Sequence, residues 1–197
     1  LGLHGLVDFR LPAERRARPN RLPPGHGLRV REPGFIPRGT EAMLEAIREG
    51  RLGPEDIRRE VLGHYRLFAE EHLPDYLPAF RLILEADGRP VLLHCTSGKD
   101  RTGFGAALAL LAAGAAEAVA VADYALTDRY RRDIRFMFRD GIAEDALAML
   151  TSARPEYLEA ALARLRELHG APEGWLAAMG LDAGERAALR RLLSEPA

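Results

Sequence analysis

The sequence predicts an α/β domain with a short, mainly parallel central sheet, helices on both sides and a helix-rich C-terminal half. Three observations predict it. Apolar runs of strand length lie at Leu3 to Phe9 and at Val91 to Leu93. The second run passes straight into a glycine-containing loop. From Thr40 onward, most of the remaining sequence repeats its apolar residues near a 3.6-residue period. With 197 residues and 47% hydrophobic content the chain can bury one sizeable core, so residues 1–197 read as a single domain.

Leu3 to Phe9 reads as a buried strand that leaves into a polar, proline-containing loop from Arg10 to Pro24. Gly27 to Arg31 is a second short strand, closed by Pro33-Gly34. Thr40 is placed to cap a helix carrying Met43, Leu44 and Ile47 on one face. Pro54 starts another, in which Ile57, Val61, Leu62, Tyr65 and Phe68 recur at helical spacing. Residues 74 to 86 continue helically towards Gly88, and Val91-Leu92-Leu93 has the strand look of a central parallel sheet. A helix from about Arg101 to Ala113 follows the loop, and further helices are expected at Ala116 to Arg139, Glu144 to Leu150, Pro155 to Leu168 and Gly184 to Leu193.

The formal net charge of -1 gives no global reason to expect a nucleic acid or an anionic membrane as partner. Any attraction to phosphate must be local. Of 28 Lys+Arg only Lys99 is lysine, and it lies in the loop that also holds the one cysteine. A single cysteine excludes a disulfide framework and a thiolate-rich zinc site, leaving a free thiol. His4, His26, His64, His72 and His169 show no metal-ligand spacing, so no metal or other cofactor is expected. No apolar run is long enough to cross a membrane. The chain opens at Leu1, close to a strand and without Met, which predicts residues upstream, where a secretion signal would lie. Cytoplasmic and secreted locations both stand.

The chemistry sits in His94-Cys95-Thr96-Ser97-Gly98-Lys99-Asp100-Arg101-Thr102-Gly103. Five residues separate Cys95 from Arg101, so a tight loop can wrap backbone amides around a tetrahedral anion while the guanidinium closes the far side as a fork. The strand-loop-helix order suits this, because free N–H groups at a helix start point at the ligand. A phosphate monoester resists water, and passage through a covalent phosphocysteine divides the reaction into two easier displacements. Cys95 is the expected nucleophile, and the helix start, Arg101 and His94 favour its thiolate. Thr96, Ser97, Gly98, Lys99 and Gly103 are the expected phosphate-binding residues. Thr102 is placed to give its hydroxyl to the sulfur. A nucleotide-binding P-loop is excluded, since it needs glycine and Ser or Thr where this chain has Leu93 and Asp100.

His94 to Gly103 resembles the signature loop of the cysteine-based protein tyrosine phosphatase superfamily, His-Cys-x5-Arg-(Ser/Thr)-Gly. The Gly98-Lys99-Asp100-Arg101-Thr102-Gly103 version resembles the bacterial branch typified by the secreted mycobacterial tyrosine phosphatase B. Val7-Asp8-Phe9-Arg10 and Asp123-Tyr124-Ala125-Leu126-Thr127 are similar to other segments of that branch. The resemblance implies a hydrolase acting on phosphotyrosine in proteins, with phosphoinositides as further substrates and phosphate or another oxyanion as loop ligand.

A general acid should protonate the leaving oxygen. In the family an upstream aspartate does this, whereas Arg31 to Thr40 holds Glu32 and no aspartate. The acid is then Asp100, which related lipid phosphatases of the myotubularin type also carry, or a residue outside this chain. Asp8 at its strand end is a further candidate, with orientation of backbone or arginine as its other role. Lys99 suggests a rim charge that meets a second substrate phosphate. The competing class is a phospho-ligand-binding pseudophosphatase that turns over poorly for want of an acid. Phe136, Met137 and Phe138 read as the end of a core helix rather than a lid. Arg129, Arg131, Arg132 and Arg135 read as a solvated face.

Overall fold

Three parallel strands, β1 (Gly5–Asp8), β2 (Arg29–Arg31) and β3 (Val91–His94), are ordered β2-β1-β3 in the computed structural model, which describes residues 2–130 and 142–194. Gly5 stands opposite both Arg29 and Val91, and Asp8 stands opposite His94. The central strand is therefore β1, every residue of which is buried. Among the described residues β3 pairs with β1 alone, and Leu92 is 46% exposed. The apolar run Val91-Leu92-Leu93 is thus a parallel strand of the sheet, as expected, and stands at its edge among the described residues.

The helices are α1 (Pro12–Ala17), α2 (Thr40–Arg48), α3 (Pro54–Glu70), α4 (Leu77–Ala86) behind a 3₁₀ turn (Leu73–Tyr76), α5 (Asp100–Ala112), α6 (Glu117–Ala125), α7 (Thr127–Tyr130), α8 (Glu144–Thr151), α9 (Pro155–His169), α10 (Pro172–Met179) and α11 (Ala183–Ser194). Helix α4 lies against all three strands. It comes so close that a Cβ on Gly5 would stand 2.8 Å from the Leu82 side chain. Helix α3 packs mainly on α9, burying Ile57, Val61, Tyr65 and Phe68 against Tyr157, Leu158, Ala161, Leu162 and Leu165. Full burial of one such side chain contributes roughly 1.5–3 kcal/mol.

Helix α1 was not expected, because Pro12 and the polar residues around it read as loop. Pro12 fits at a first helical position, where its missing N–H costs nothing. Glu14 completes the start by accepting from the Leu11 N–H at 2.7 Å. Helix α10, which buries Trp175, was likewise unforeseen. Thr40 is the first helical residue and not the cap of α2. Gly39, at φ 82°, holds the cap position, and the Thr40 hydroxyl donates to the Pro37 carbonyl at 2.7 Å. Of the helix expected over 116–139, the described part, up to residue 130, divides into α6 and α7. Phe136, Met137, Phe138, Arg131, Arg132 and Arg135 lie outside the described residues. No helix among the described residues is long and apolar enough to cross a membrane.

Under the C-terminal end of β3, an aromatic cluster supports the loop. Phe68 stacks on Phe104 of α5 with centroids 5.6 Å apart, and Tyr76 meets Phe9 at 5.1 Å. The Tyr76 hydroxyl donates to the Arg101 carbonyl at 3.0 Å, fixing the first turn of α5 from below. Gly103 lets α5 close on α6, since a Cβ there would lie 2.8 Å from the Tyr124 ring.

Candidate active site

The loop begins where β3 ends. Residues 96–99 bend sharply, Gly98 adopts φ 76°, and α5 starts at Asp100. A positive φ is costly for any residue with a Cβ, which explains glycine at this point. The backbone N–H groups of Thr96, Ser97, Gly98, Asp100, Arg101 and Thr102 find no acceptor among the described residues. The Lys99 N–H has only a 3.4 Å contact to the Ser97 hydroxyl. Unsatisfied donors converging at a helix start make an anion-binding concavity. Cys95 opens this loop, is 7% exposed and is unbonded to any other cysteine.

Arg101 closes it. Its Nη1 donates to the Phe9 carbonyl (3.0 Å), the Phe35 carbonyl (3.2 Å) and Glu14 Oε2 (2.8 Å), and its Nη2 donates to Glu14 Oε1 (3.0 Å). The side chain is 11% exposed. Nε and the second Nη2 hydrogen have no acceptor among the described residues, so one edge of the fork remains for a ligand. Burial pulls the Arg101 guanidinium down, but Glu14 and Cys95 together drive it further above its ordinary value. It is a permanent cation.

Glu14 was missed in the sequence because its partner lies 87 residues away. It also accepts from the Thr96 hydroxyl, so one carboxylate steadies both ends of the loop. Burial pushes its carboxyl up, but hydrogen bonds from Arg101 and Thr96 outweigh that and bring it from 4.5 down to about 2. A depressed folded-state value means that the stability it gives is complete above its ordinary pKa and is lost as pH falls from about 4.5 towards 2. In Glu14→Gln, acid unfolding followed by circular dichroism should lose steepness across that window. The same variant should lower kcat/KM for an aryl phosphate by about 10- to 100-fold, because the fork is no longer oriented.

Asp8 is wholly buried and holds Arg10 through Nε (2.9 Å to Oδ1) and Nη2 (2.7 Å to Oδ2), with Asn20 Nδ2 at 3.0 Å. Burial raises its carboxyl, but the Arg10 hydrogen bonds carry it below the ordinary value. Asp8 is therefore an orienting carboxylate with no proton to give near neutral pH. His94 Nε2 lies 3.5 Å from Asp8 Oδ2, an ionic contact at most, as it forms no hydrogen bond there. His94 Nδ1 faces the Cys95 carbonyl at 3.2 Å. The Thr102 hydroxyl is buried with no hydrogen-bond partner among the described residues.

Lys99 does not stand at the rim. Its side chain is 2% exposed, and Nζ donates to the Leu150 carbonyl of α8 at 2.6 Å, meets Asp100 Oδ1 at 3.1 Å and lies 5.8 Å from the centre of the Tyr157 ring. Three partners inside the fold leave this ammonium nothing for a second substrate phosphate. Asp100 itself is 38% exposed, and its Oδ1 also accepts from the Tyr65 hydroxyl at 2.9 Å. Tyr65 in turn meets the Tyr124 hydroxyl at 2.5 Å. Burial raises both phenols above their ordinary values, so both are neutral donors. Since Tyr65 donates to Asp100, Tyr124 must donate to Tyr65. Glu32 pairs with Arg15 at 3.5 Å and lines a different hollow from Cys95.

The sequence model of the tyrosine phosphatase family matches residues 1–195. The chain belongs to the tyrosine phosphatase family. This tyrosine phosphatase family member is 36% identical over 115 residues to the triple specificity protein phosphatase PtpB of Mycobacterium tuberculosis, covering 50% of this chain and 42% of that protein. It is 33% identical over 122 residues to a tyrosine-protein phosphatase of Nostoc commune, covering 57% of this chain and 42% of that one. A Cupriavidus necator relative is 29% identical over 188 residues, 89% of this chain and 65% of the relative. The chain thus spans less than two thirds of the length of each of these curated relatives.

Proposed function

We propose that the chain hydrolyses phosphate monoesters through a phosphocysteine at Cys95, with phosphotyrosine in proteins as first substrate and phosphoinositides as second. The observation that carries this reading is the cup of unsatisfied amides closed by the unoccupied edge of Arg101. Such donors, fixed before substrate arrives, stabilise the charge of a phosphoryl group in flight.

In the first step Cys95 Sγ attacks phosphorus, the bond to the leaving oxygen breaks, and Asp100 supplies that oxygen with a proton. With Oδ1 taken by Tyr65 and Lys99, Oδ2 is the oxygen that carries it. In the second step water attacks phosphorus, gives its proton to Asp100, and the S–P bond breaks to return the thiolate. Thr102 donates its hydroxyl, which has no partner among the described residues, to that departing sulfur. Thr96, Ser97, Gly98 and Lys99 serve through the loop backbone, while His94 and Asp8 brace its entry; Gly103, expected among the phosphate-binding residues, has its N–H bonded to the Lys99 carbonyl at 2.9 Å and serves the close packing of α5 on α6 instead.

A cavity of about 170 Å³ beside Asp100 and Arg101, lined among others by Ile36, Met43, Leu44, Val61 and Phe68, supports an aromatic leaving group. His64 at its edge is kept from gaining charge by burial.

The test is a substrate panel of phosphotyrosine peptide, phosphoinositides and two aryl phosphates of unequal leaving-group acidity, with acid-quench trapping of the phosphoenzyme. Asp100→Asn should lose about 10²- to 10³-fold on phenyl phosphate and far less on an activated nitrophenyl ester, which hardly needs protonation. Equal losses on both esters would remove Asp100 from the acid role. No turnover of the activated ester by the unaltered chain would leave only a phospho-ligand-binding module.

A further inference from the structure

Two buried phenols end on the carboxylate proposed as the acid. Tyr65 of α3 is 1% exposed, Tyr124 of α6 is 2% exposed, and their hydroxyls meet at 2.5 Å. The Tyr65 hydroxyl stands 2.9 Å from Asp100 Oδ1 at the start of α5. A buried hydroxyl without an acceptor is costly, and two phenols that face only each other leave one proton unplaced. Here that last proton goes to Asp100, so the donors run from Tyr124 through Tyr65 to the carboxylate. Packing alone does not call for these hydroxyls. Phe9, Phe35, Phe68 and Phe104 fill neighbouring aromatic positions of the same core with hydrocarbon.

The arrangement is rigid. Phe68, Tyr157 and Tyr124 enclose the Tyr65 ring with centroids 5.4, 5.6 and 6.1 Å away, so its hydroxyl has one place to stand. The Tyr124 ring lies on Gly103, where a Cβ would come within 2.8 Å. Lys99 Nζ, itself held by the Leu150 carbonyl at 2.6 Å, meets the same Oδ1 at 3.1 Å. Two donors on Oδ1 leave no room for a proton there, so a protonated Asp100 carries its hydrogen on Oδ2. At 38% exposure the carboxyl would otherwise be free to turn in solvent.

We infer that Tyr65 and Tyr124 are positioning residues for general-acid catalysis: Tyr65 holds Asp100 so that Oδ2 faces the leaving oxygen, and Tyr124 holds Tyr65. The inference rests on the phosphatase reading above, with Asp100 as its acid, and adds two residues outside the phosphate loop. A hydroxyl that receives a hydrogen bond donates more strongly, so Tyr124 acts on Asp100 without touching it.

The experiment is steady-state kinetics of Tyr65→Phe, Tyr124→Phe and the double variant on phenyl phosphate and on an activated nitrophenyl ester. Tyr65→Phe should lower kcat on phenyl phosphate by about 10- to 30-fold, within the span a general acid supplies, and lose less than about 3-fold on the activated ester. KM should change little, because the ring still walls the cavity beside Asp100. Tyr124→Phe should lose about 2- to 5-fold with the same preference. In an Asp100→Asn background neither replacement should cost more on phenyl phosphate, since no acid is left to aim. The double variant strands no hydroxyl, whereas Tyr65→Phe leaves the Tyr124 proton without an acceptor. Its Tm should therefore be at or above that of Tyr65→Phe, while its phenyl phosphate rate stays as low. Equal losses on both esters, full additivity with Asp100→Asn, or a rate that recovers with stability in the double variant would each reduce the tyrosines to core packing and overturn the inference. Failure of the underlying reading is seen separately, before any tyrosine is changed. Should Asp100→Asn itself lose equally on both esters, the acid role fails and the relay with it; should the unaltered chain not turn over the activated ester, the phosphatase assignment fails first.

Discussion

Turnover of every phosphate ester should fall by on the order of 10⁴-fold or more in Cys95→Ser, while affinity for the same esters stays within a few-fold. Serine keeps the volume of the side chain but presents a neutral hydroxyl where the mechanism needs an anion. The amide cup and Arg101 are untouched by the change, so binding has no reason to weaken. The side chain at position 95 is almost buried, and the two residues are close in shape, so the fold should tolerate the exchange. Initial rates with a nitrophenyl ester, together with isothermal titration of phosphate, separate the two quantities. A serine variant that retains a tenth of the rate would exclude Cys95 as nucleophile. The phosphoenzyme trapped from the unaltered chain should be absent from this variant.

Replacement of Arg101 by alanine should cost about 10³-fold or more in kcat/KM and also weaken the fold by roughly 3 kcal/mol. The two effects have different origins. Activity is lost because the unoccupied edge of the guanidinium has no substitute. Stability is lost because the Phe9 and Phe35 carbonyls and the Glu14 carboxylate lose their shared donor. A second replacement, Glu14→Ala, should restore part of the stability by removing the stranded carboxylate and restore none of the activity. A double-mutant cycle by urea unfolding and by rate reads both. Arg101→Lys should fall between, since one ammonium cannot span Glu14 and a phosphate together. Equal recovery of rate and stability in the double variant would contradict this division.

What the sequence could disclose follows from how local each feature is. The strand-loop-helix shape of the candidate site was legible because its strand, its glycine, its cysteine and its arginine lie within a dozen residues. Helices α3 and α9 were legible because their apolar faces repeat. Glu14 was not, since nothing in residues 12–17 signals that the carboxylate will turn towards residue 101, and the prolines hid the short helix that aims it. Lys99 was misplaced for a related reason: a lone lysine beside an aspartate looks like a surface charge until the Leu150 carbonyl and the Tyr157 ring are seen to enclose it. The edge position of β3 depends on strand order, which an apolar run of three residues does not encode. Residue spacing leaves Asp8 either orienting an arginine or backbone or acting as an acid, because its burial with Arg10 appears only in the fold.

The enclosure of Lys99 makes the molecule its own gauge of opening. It is the one lysine in the chain, so apart from the amino terminus an acylating reagent has a single primary amine to find, and in the closed fold that amine is out of reach. Labelling at Lys99 should therefore proceed at the rate at which the segment around residue 99 parts from α8. Mass spectrometry of one peptide then follows the breathing of the segment around residue 99 without any engineered probe.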